Sequence, residues 1–116
     1  MASDIKITDT SEGTGALAEP GKVVAIHYRG FLNRGDEFGS SYKNGSPICF
    51  MIGRREVIAG LERGVIGMRV GRCRTLVVSP HLAYRDKGVE GSIPPNAVLR
   101  FEVELIDVKD VDKPMG

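Results

Sequence analysis

Alternation of apolar and polar residues predicts most of the strands in this chain. In VLRFEVELIDV, residues 98–108, the apolar residues Leu99, Phe101, Val103 and Leu105 alternate with charged residues. A period of two places one set of side chains on a buried face and the other in water, which is typical of antiparallel sheets. This stretch therefore predicts a long strand that is half-buried along its length.

Four other stretches read as shorter strands. In VVAIHYRGFL, Val24, Ile26 and Tyr28 share one face. In DIKITDT, Ile5 and Ile7 alternate with polar residues, so we expect a half-buried strand. The stretch after the turn NRG, DEFGSSYKNGSP, begins like a strand and continues as a loop. The four stretches are DIKITDT at 4–10, VVAIHYRGFL at 23–32, ICFMI at 48–52 and CRTLVVS at 73–79.

The period changes in REVIAGLERGVIGM, residues 55–68, where Ile58, Leu61 and Val65 fall on one face of a short helix. Gly60 and Gly64 each cost a helix up to about 1 kcal/mol relative to alanine. Glycine is useful there if the helix lies close against a sheet, and packing then supplies its stability. The pattern predicts an α+β fold, a five- to six-stranded twisted antiparallel sheet wrapped around one short helix.

The length of 116 residues predicts one domain over residues 1–116, ordered from about 4 to 109, with a polar tail at 110–116. One connection, HLAYRDKGVEGSIPPNA at 81–97, is unusually long. Most connections have about 4–6 residues, and those beyond ~12–15 are functional or disordered. We therefore interpret it as a functional loop.

Composition and charge narrow the class of protein. A net charge of +1 with dispersed Lys and Arg argues against binding to nucleic acid or a membrane surface through bulk charge. No apolar run approaches the ~20 residues of a membrane span, and MASDIKITDT has no signal-peptide core. We expect a cytoplasmic protein, and a monomer because the pattern suggests no exposed apolar face.

The sequence offers no good candidate residues for conventional acid–base or nucleophilic catalysis. The spacing of Cys49 and Cys73 predicts two free thiols. His27 is expected on the solvent side of its strand and His81 at a turn, with no metal spacing around either one. Ser40 and Ser41 are interpreted as loop serines, and GTGALA (13–18) as a plain turn, because Glu-Pro-Gly follows and stops a helix. We expect no metal or cofactor, and either a binding module or a reaction without titrating groups.

The aromatic residues Tyr28, Phe38, Phe50, Tyr84 and Phe101 offer two interpretations. They are simply parts of the core, or several of them form an apolar pocket at one end of the sheet, covered by the long loop.

Three blocks resemble, in order and spacing, the FKBP-type peptidyl-prolyl cis-trans isomerases. They are YRGFLNRGDEFGSS, FMIGRREVIAGLERGVIGMRVG and SPHLAYRDKGVEGSIPPNAVLRFEVEL, and the likeness covers about residues 5–109. The resemblance implies an antiparallel sheet around a short helix, and acceleration of X–Pro bond rotation in proline-containing polypeptides. It also implies binding of macrolides such as rapamycin.

Position by position, the resemblance implies a site of nine residues. The proline pocket would be walled by Tyr28, Phe38, Val57, Ile58 and Phe101, with Leu61 as its floor, Ile93 closing over it and Ile48 at its rim. The backbone N–H of Ile58 and the hydroxyl of Tyr84 would bind substrate carbonyl groups.

The chain also departs from the family pattern. Gly39 stands where an Asp usually braces the site, Leu61 replaces a Trp floor, Ile48 replaces an aromatic rim residue, and Arg85 replaces a Gly. Val89 and Ser92 in the long loop also differ from the best-known members. We expect weak macrolide binding for these reasons. The alternatives to an active isomerase are a non-catalytic domain that binds proline-containing or apolar segments, and an enzyme with mainly chaperone-like work.

Overall fold

The computed structural model describes residues 5–11 and 13–110; residues 111–116, most of the predicted tail, lie outside the described residues. One antiparallel sheet contains β1 (Ile5–Ser11), β2 (Val23–Leu32), β3 (Glu37–Ser40), β4 (Ile48–Met51), β5 (Cys73–Val78) and β6 (Leu99–Lys109). Two α-helices, α1 (Ser41–Asn44) and α2 (Ala59–Val65), and a 3₁₀ turn, Pro80–Leu82, complete the elements. The predicted α+β fold is confirmed.

The strand order is β1-β5-β6-β2-β3, and β4 also pairs with β2. Strand β2 pairs with β6 along its length. On its other edge, residues 23–26 pair with β4 and residues 29–31 pair with β3. Strands β3 and β4 therefore share one edge of β2, and the backbone of Tyr28 faces the gap between them.

Helix α2 packs against the face of the sheet that carries the buried side chains of β5 and β6. A Cβ atom on Gly60 would lie 2.3 Å from Val78 Cγ1, and one on Gly64 would lie 2.4 Å from Leu76 Cδ1. Real Cβ atoms do not approach so closely, so the helix can lie this near the sheet because both positions are glycine. The predicted reason for the two glycines is confirmed.

A buried arginine joins three elements. Arg74 lies on the helix side of β5 and is 7% exposed. Its guanidinium donates to the carbonyl oxygens of Gly64 at 2.9 Å and Ile66 at 3.1 Å, at the end of α2, and its Nε donates to Asp9 Oδ1 at 2.6 Å. The hydrogen bond from Arg74 lowers the pKa of the Asp9 carboxyl. This interaction ties β1 and α2 to β5.

Three local predictions were wrong. The loop expected after β3 contains α1, because Ser40 Oγ accepts from the Tyr42 N–H at 3.2 Å and Gly45, at φ +79°, ends the helix. Ile7 is 47% exposed, because β1 is an edge strand and α2 covers little of it. Ile58 is the residue before α2 and not part of its first turn.

Candidate active site

Three aromatic rings meet at Phe101, which is 2% exposed on β6. The ring of Phe38 stands edge-on to that of Phe101 with centroids 5.7 Å apart, and the ring of Tyr28 lies at 6.1 Å, tilted by 57°. Phe38 can reach this place because it packs on Gly30, where a Cβ would lie 2.5 Å from its Cζ. The cluster is an apolar wall with a preferred edge-to-face geometry.

The start of α2 supplies the next part of the site. Val57 and Ile58 are half-buried and pack against the core, and Leu61, in the first turn, is 5% exposed. The carbonyl of Ile58 accepts from the N–H groups of Leu61 and Glu62, both at 3.1 Å. The N–H of Ile58 donates to no acceptor within residues 5–11 and 13–110. One backbone donor therefore remains for a ligand beside the apolar wall.

The long connection has structure of its own. After the 3₁₀ turn, Val89 and Ile93 form an antiparallel bridge, each donating its N–H to the other's carbonyl at 2.8 Å. Ile93 is 5% exposed, and Tyr84 is half-buried against the core. The loop is therefore an ordered wall, and several of its side chains, Tyr84 and Ile93 among them, pack on the core.

The Tyr84 hydroxyl is the polar group that this loop adds to the site. Burial raises the pKa of Tyr84, and the nearby Tyr28 phenol raises it further. The group thus stays protonated at neutral pH. It makes no hydrogen bond within the described part of the chain. A neutral phenol with no partner is suited to donate to a carbonyl oxygen.

The structure places all nine residues of the predicted site in or against the core. Leu61, Ile93 and Phe101 are buried, and the other six are half-buried: Tyr28, Phe38, Ile48, Val57, Ile58 and Tyr84. Ile48 lies on β4 opposite Ile26 of β2, outside the three-ring contact. The arrangement is a buried apolar floor with a partly exposed apolar rim.

Ser41 is a residue that sequence reasoning misjudged, because it is fully buried and not a loop serine. Its Oγ accepts from the Tyr28 N–H at 2.7 Å and lies 3.3 Å from the Tyr28 carbonyl oxygen. It thereby satisfies the backbone of Tyr28 in the gap between β3 and β4. No local signal in the sequence points to this role, because the role depends on the gap at Tyr28, where neither β3 nor β4 pairs with β2.

His27 lies on the face of β2 opposite Ile26, as predicted, but it is half-buried there and not open to solvent. Its Nδ1 lies 2.9 Å from Ser41 Oγ, and its ring stacks on Tyr42 at 4.4 Å. Tyr42 also lines a cleft of about 310 Å³ on the opposite face of the sheet, together with Thr75 and Glu104 among others. The Tyr42 hydroxyl donates to Glu104 at 3.0 Å. The cleft is separate from the aromatic cluster, on the other face of the sheet.

The structure shows the surroundings of two positions that depart from the family pattern, Gly39 and Arg85. A Cβ on Gly39 would meet the Tyr28 hydroxyl at 3.6 Å, an ordinary contact distance. An Asp would therefore fit here and reach that hydroxyl, which has no hydrogen-bond partner among the described residues. Arg85 has φ +54°, a backbone conformation in which glycine is favoured.

The described residues show few other features that would indicate a reactive, metal-binding or membrane-spanning role. Cys49 and Cys73 do not form a disulfide bond with each other. Among the described residues, no group of three or more His, Cys, Asp or Glu side chains could hold a metal ion. In the same part of the chain, no helix has the length and apolar character needed to cross a membrane.

Comparison with known proteins confirms the resemblance. The family model for FKBP-type peptidyl-prolyl cis-trans isomerases matches residues 15–106. FK506-binding protein 1A of Neurospora crassa is 40% identical over 109 residues, 94% of this chain and 90% of that protein. Peptidyl-prolyl cis-trans isomerase FPR2 of Saccharomyces cerevisiae is 52% identical over 93 residues, 79% of this chain and 69% of that protein. The crystal structure of AtFKBP13 superposes with a TM-score of 0.82 at 38% identity, covering 89% of this chain and 91% of that one. The chain therefore belongs to the FKBP-type peptidyl-prolyl cis-trans isomerases.

Proposed function

We propose that the aromatic cluster around Phe101 is the active site of a peptidyl-prolyl cis-trans isomerase that acts on proline-containing polypeptides. The observation that supports this assignment is the meeting of three rings over a buried floor, next to two donors without partners. The rings are those of Tyr28, Phe38 and Phe101, and the donors are the Ile58 N–H and the Tyr84 hydroxyl.

An apolar site suits this reaction. Rotation about a peptide bond meets a barrier of ~18–20 kcal/mol, and uncatalysed X–Pro exchange takes tens to hundreds of seconds. The planar ground state has a polar, well-hydrated carbonyl, whereas the twisted transition state has lost amide resonance and is less polar. A dry pocket therefore favours the transition state. A 10⁴-fold acceleration requires only about 5.4 kcal/mol of this preference.

In this proposal the apolar residues and the two hydrogen-bond donors have different roles. Phe101, Tyr28 and Phe38 contact the proline ring and exclude water, and Leu61 limits the depth of the pocket. The two donors hold the carbonyl groups on either side of the rotating bond. They orient the peptide, so that the apolar walls contact the amide as it twists.

The test compares exchange rates on Xaa-Pro peptides measured by NMR with and without the protein. Tyr84→Phe removes one hydrogen bond of about 0.5–1.5 kcal/mol, so we expect kcat/KM to fall about two- to tenfold. Phe38→Ala opens a wall, and we expect a loss of at least about tenfold. The matched control is Tyr42→Phe, which removes a hydroxyl on the opposite face of the sheet. If no peptide is accelerated, or if Tyr42→Phe lowers the rate as much as Tyr84→Phe does, the assignment is wrong.

Macrolides such as rapamycin would bind at the same site. We propose that they bind weakly, because Leu61 is smaller than the usual Trp floor and Gly39 provides no carboxylate beside the Tyr28 hydroxyl. A nanomolar dissociation constant for rapamycin, measured by calorimetry, would contradict this expectation.

We also propose that the protein works as a monomer in the cytoplasm. The absence of a disulfide bond between Cys49 and Cys73 supports a reducing compartment. Sedimentation at several protein concentrations checks the monomer, and microscopy of a tagged full chain checks the compartment.

A further inference from the structure

Two arginines flank the candidate site from different loops, and both have unusual backbone conformations. Arg55 precedes Val57 by two residues and has φ +58°, while Arg85 follows Tyr84 and has φ +54°. Left-handed φ values are uncommon for residues other than glycine, and such strained positions cluster at functional sites. Both side chains are exposed.

Hydrogen bonds hold both backbones in place. The Arg85 N–H donates to the Pro80 carbonyl at 2.8 Å, and its carbonyl accepts from the Asn96 N–H at 2.7 Å. The Arg55 N–H donates to Glu62 Oε1 at 3.1 Å. Each exposed arginine side chain therefore starts from a backbone position held by hydrogen bonds, close in sequence to Val57 or Tyr84.

Three arginines close in sequence to the site form no ion pair with any residue that the structure describes. Six of the ten arginine side chains bind a carboxylate or a carbonyl: Arg29, Arg34, Arg69, Arg72, Arg74 and Arg100. Within the described ranges, the guanidinium nitrogens of the other four arginines have no carboxylate oxygen within 4.0 Å. These four are Arg54, Arg55, Arg63 and Arg85. Three of these four lie within three residues of Val57 or Tyr84.

The nearby carboxylates form no ion pair with these arginines among the described residues. Glu56 accepts the Met51 N–H at 2.8 Å, and Glu62 accepts the Gly53 N–H at 2.7 Å as well as that of Arg55. Asp86 and Glu90, on the long loop, are exposed and form no ion pair with any described residue. These carboxylates keep their charge, but none of them holds a guanidinium, so both arginine side chains remain available to a ligand.

We propose that this chain prefers peptides with an acidic residue next to the proline, and that Arg55 and Arg85 recognise its carboxylate. This proposal rests on the proposed active site, since it assumes that the proline lies on Phe101 between the two arginines. An exposed ion pair at the rim contributes only modestly, because water and salt screen it. We therefore expect kcat/KM to be about two- to fivefold higher for a Glu peptide than for its Gln analogue, with a Lys peptide slowest.

The experiment measures kcat/KM for peptides that differ only in a Glu, Gln or Lys placed directly before or directly after the proline. Arg85→Asn and Arg55→Asn remove the charge and keep a residue that tolerates positive φ. Each variant should lower the Glu-to-Gln ratio, and the double variant should bring it to one. Raising the salt from about 0.01 M to about 1 M should also bring the ratio of the unaltered protein close to one.

Arg63→Ala is the matched control, because Arg63 is exposed and forms no ion pair with any described residue, but lies in the last turn of α2 and not next to Val57 or Tyr84 in the sequence. The proposal is overturned if the unaltered protein accelerates all three peptides equally, or if Arg63→Ala lowers the ratio as much as Arg85→Asn does. Equal acceleration of all three peptides would still support the isomerase assignment. If no peptide is accelerated, the isomerase assignment fails, and binding of the same peptides measured by NMR then decides whether the acidic preference exists.

Discussion

The pair formed by Asp9 and Arg74 should make the stability of this fold depend on pH. Arg74 is 7% exposed, and its hydrogen bond to Asp9 at 2.6 Å lowers the pKa of that carboxyl from its ordinary value of 3.8. A lowered pKa means that the carboxylate stabilises the folded state above the ordinary value. The contribution is lost as the pH falls through the pKa of the folded state.

The magnitude follows from the type of bond and from its exposure. Hydrogen bonds to charged groups contribute about 1.5–3 kcal/mol, but the Asp9 side chain is 35% exposed, so solvent screens part of this. We expect Asp9→Asn to lower the free energy of unfolding by about 1–2 kcal/mol at pH 7. For a chain of this size that corresponds to a fall in Tm of about 4–8 °C.

Thermal unfolding followed by circular dichroism between pH 2 and pH 7 tests this reasoning. The control is Asp36→Asn, which breaks a pair of the same 2.6 Å length between side chains that are 61% and 75% exposed, and which should shift Tm much less. The difference between Asp9→Asn and the unaltered protein should disappear at the acid end. Equal effects of the two substitutions, or a difference that persists at low pH, would refute the argument.

Two further substitutions test the packing and the site. Gly60→Ala would place a Cβ 2.3 Å from Val78 Cγ1, and the strain should exceed the gain in helix propensity, so chemical denaturation should show a net loss of about 1–2 kcal/mol. An unchanged midpoint would show that the helix can move away. Gly39→Asp should place a carboxylate beside the Tyr28 hydroxyl and raise rapamycin affinity about tenfold by calorimetry. Unchanged affinity would show that this carboxylate does not brace the site.

Much of the fold was predictable from the sequence. The alternation in β6 predicted which side chains are buried, because burying one face of a strand imposes a period of two. Gly60 and Gly64 predicted close contact between helix and sheet, because neither residue favours a helix in isolation. The nine predicted site residues came from the resemblance to the family, and the structure brings three of them, Tyr28, Phe38 and Phe101, into contact.

Other features depend on the tertiary structure. Ser41 satisfies the Tyr28 backbone because β3 and β4 leave a gap on one edge of β2, and no local pattern encodes that gap. The short helix α1 was taken for a loop because its one turn has no apolar period to detect.

The sequence by itself determined which side chains of β6 are buried and which family the chain resembles, since both depend on residue types at short, regular spacings. The tertiary structure decided which charges find partners. Asp9 and Arg74 are 65 residues apart and form an ion pair, whereas Arg55 and Arg85 form none with any residue that the structure describes. An ion pair forms where the fold brings two chain segments together, and the distance between those segments is not encoded in either one of them.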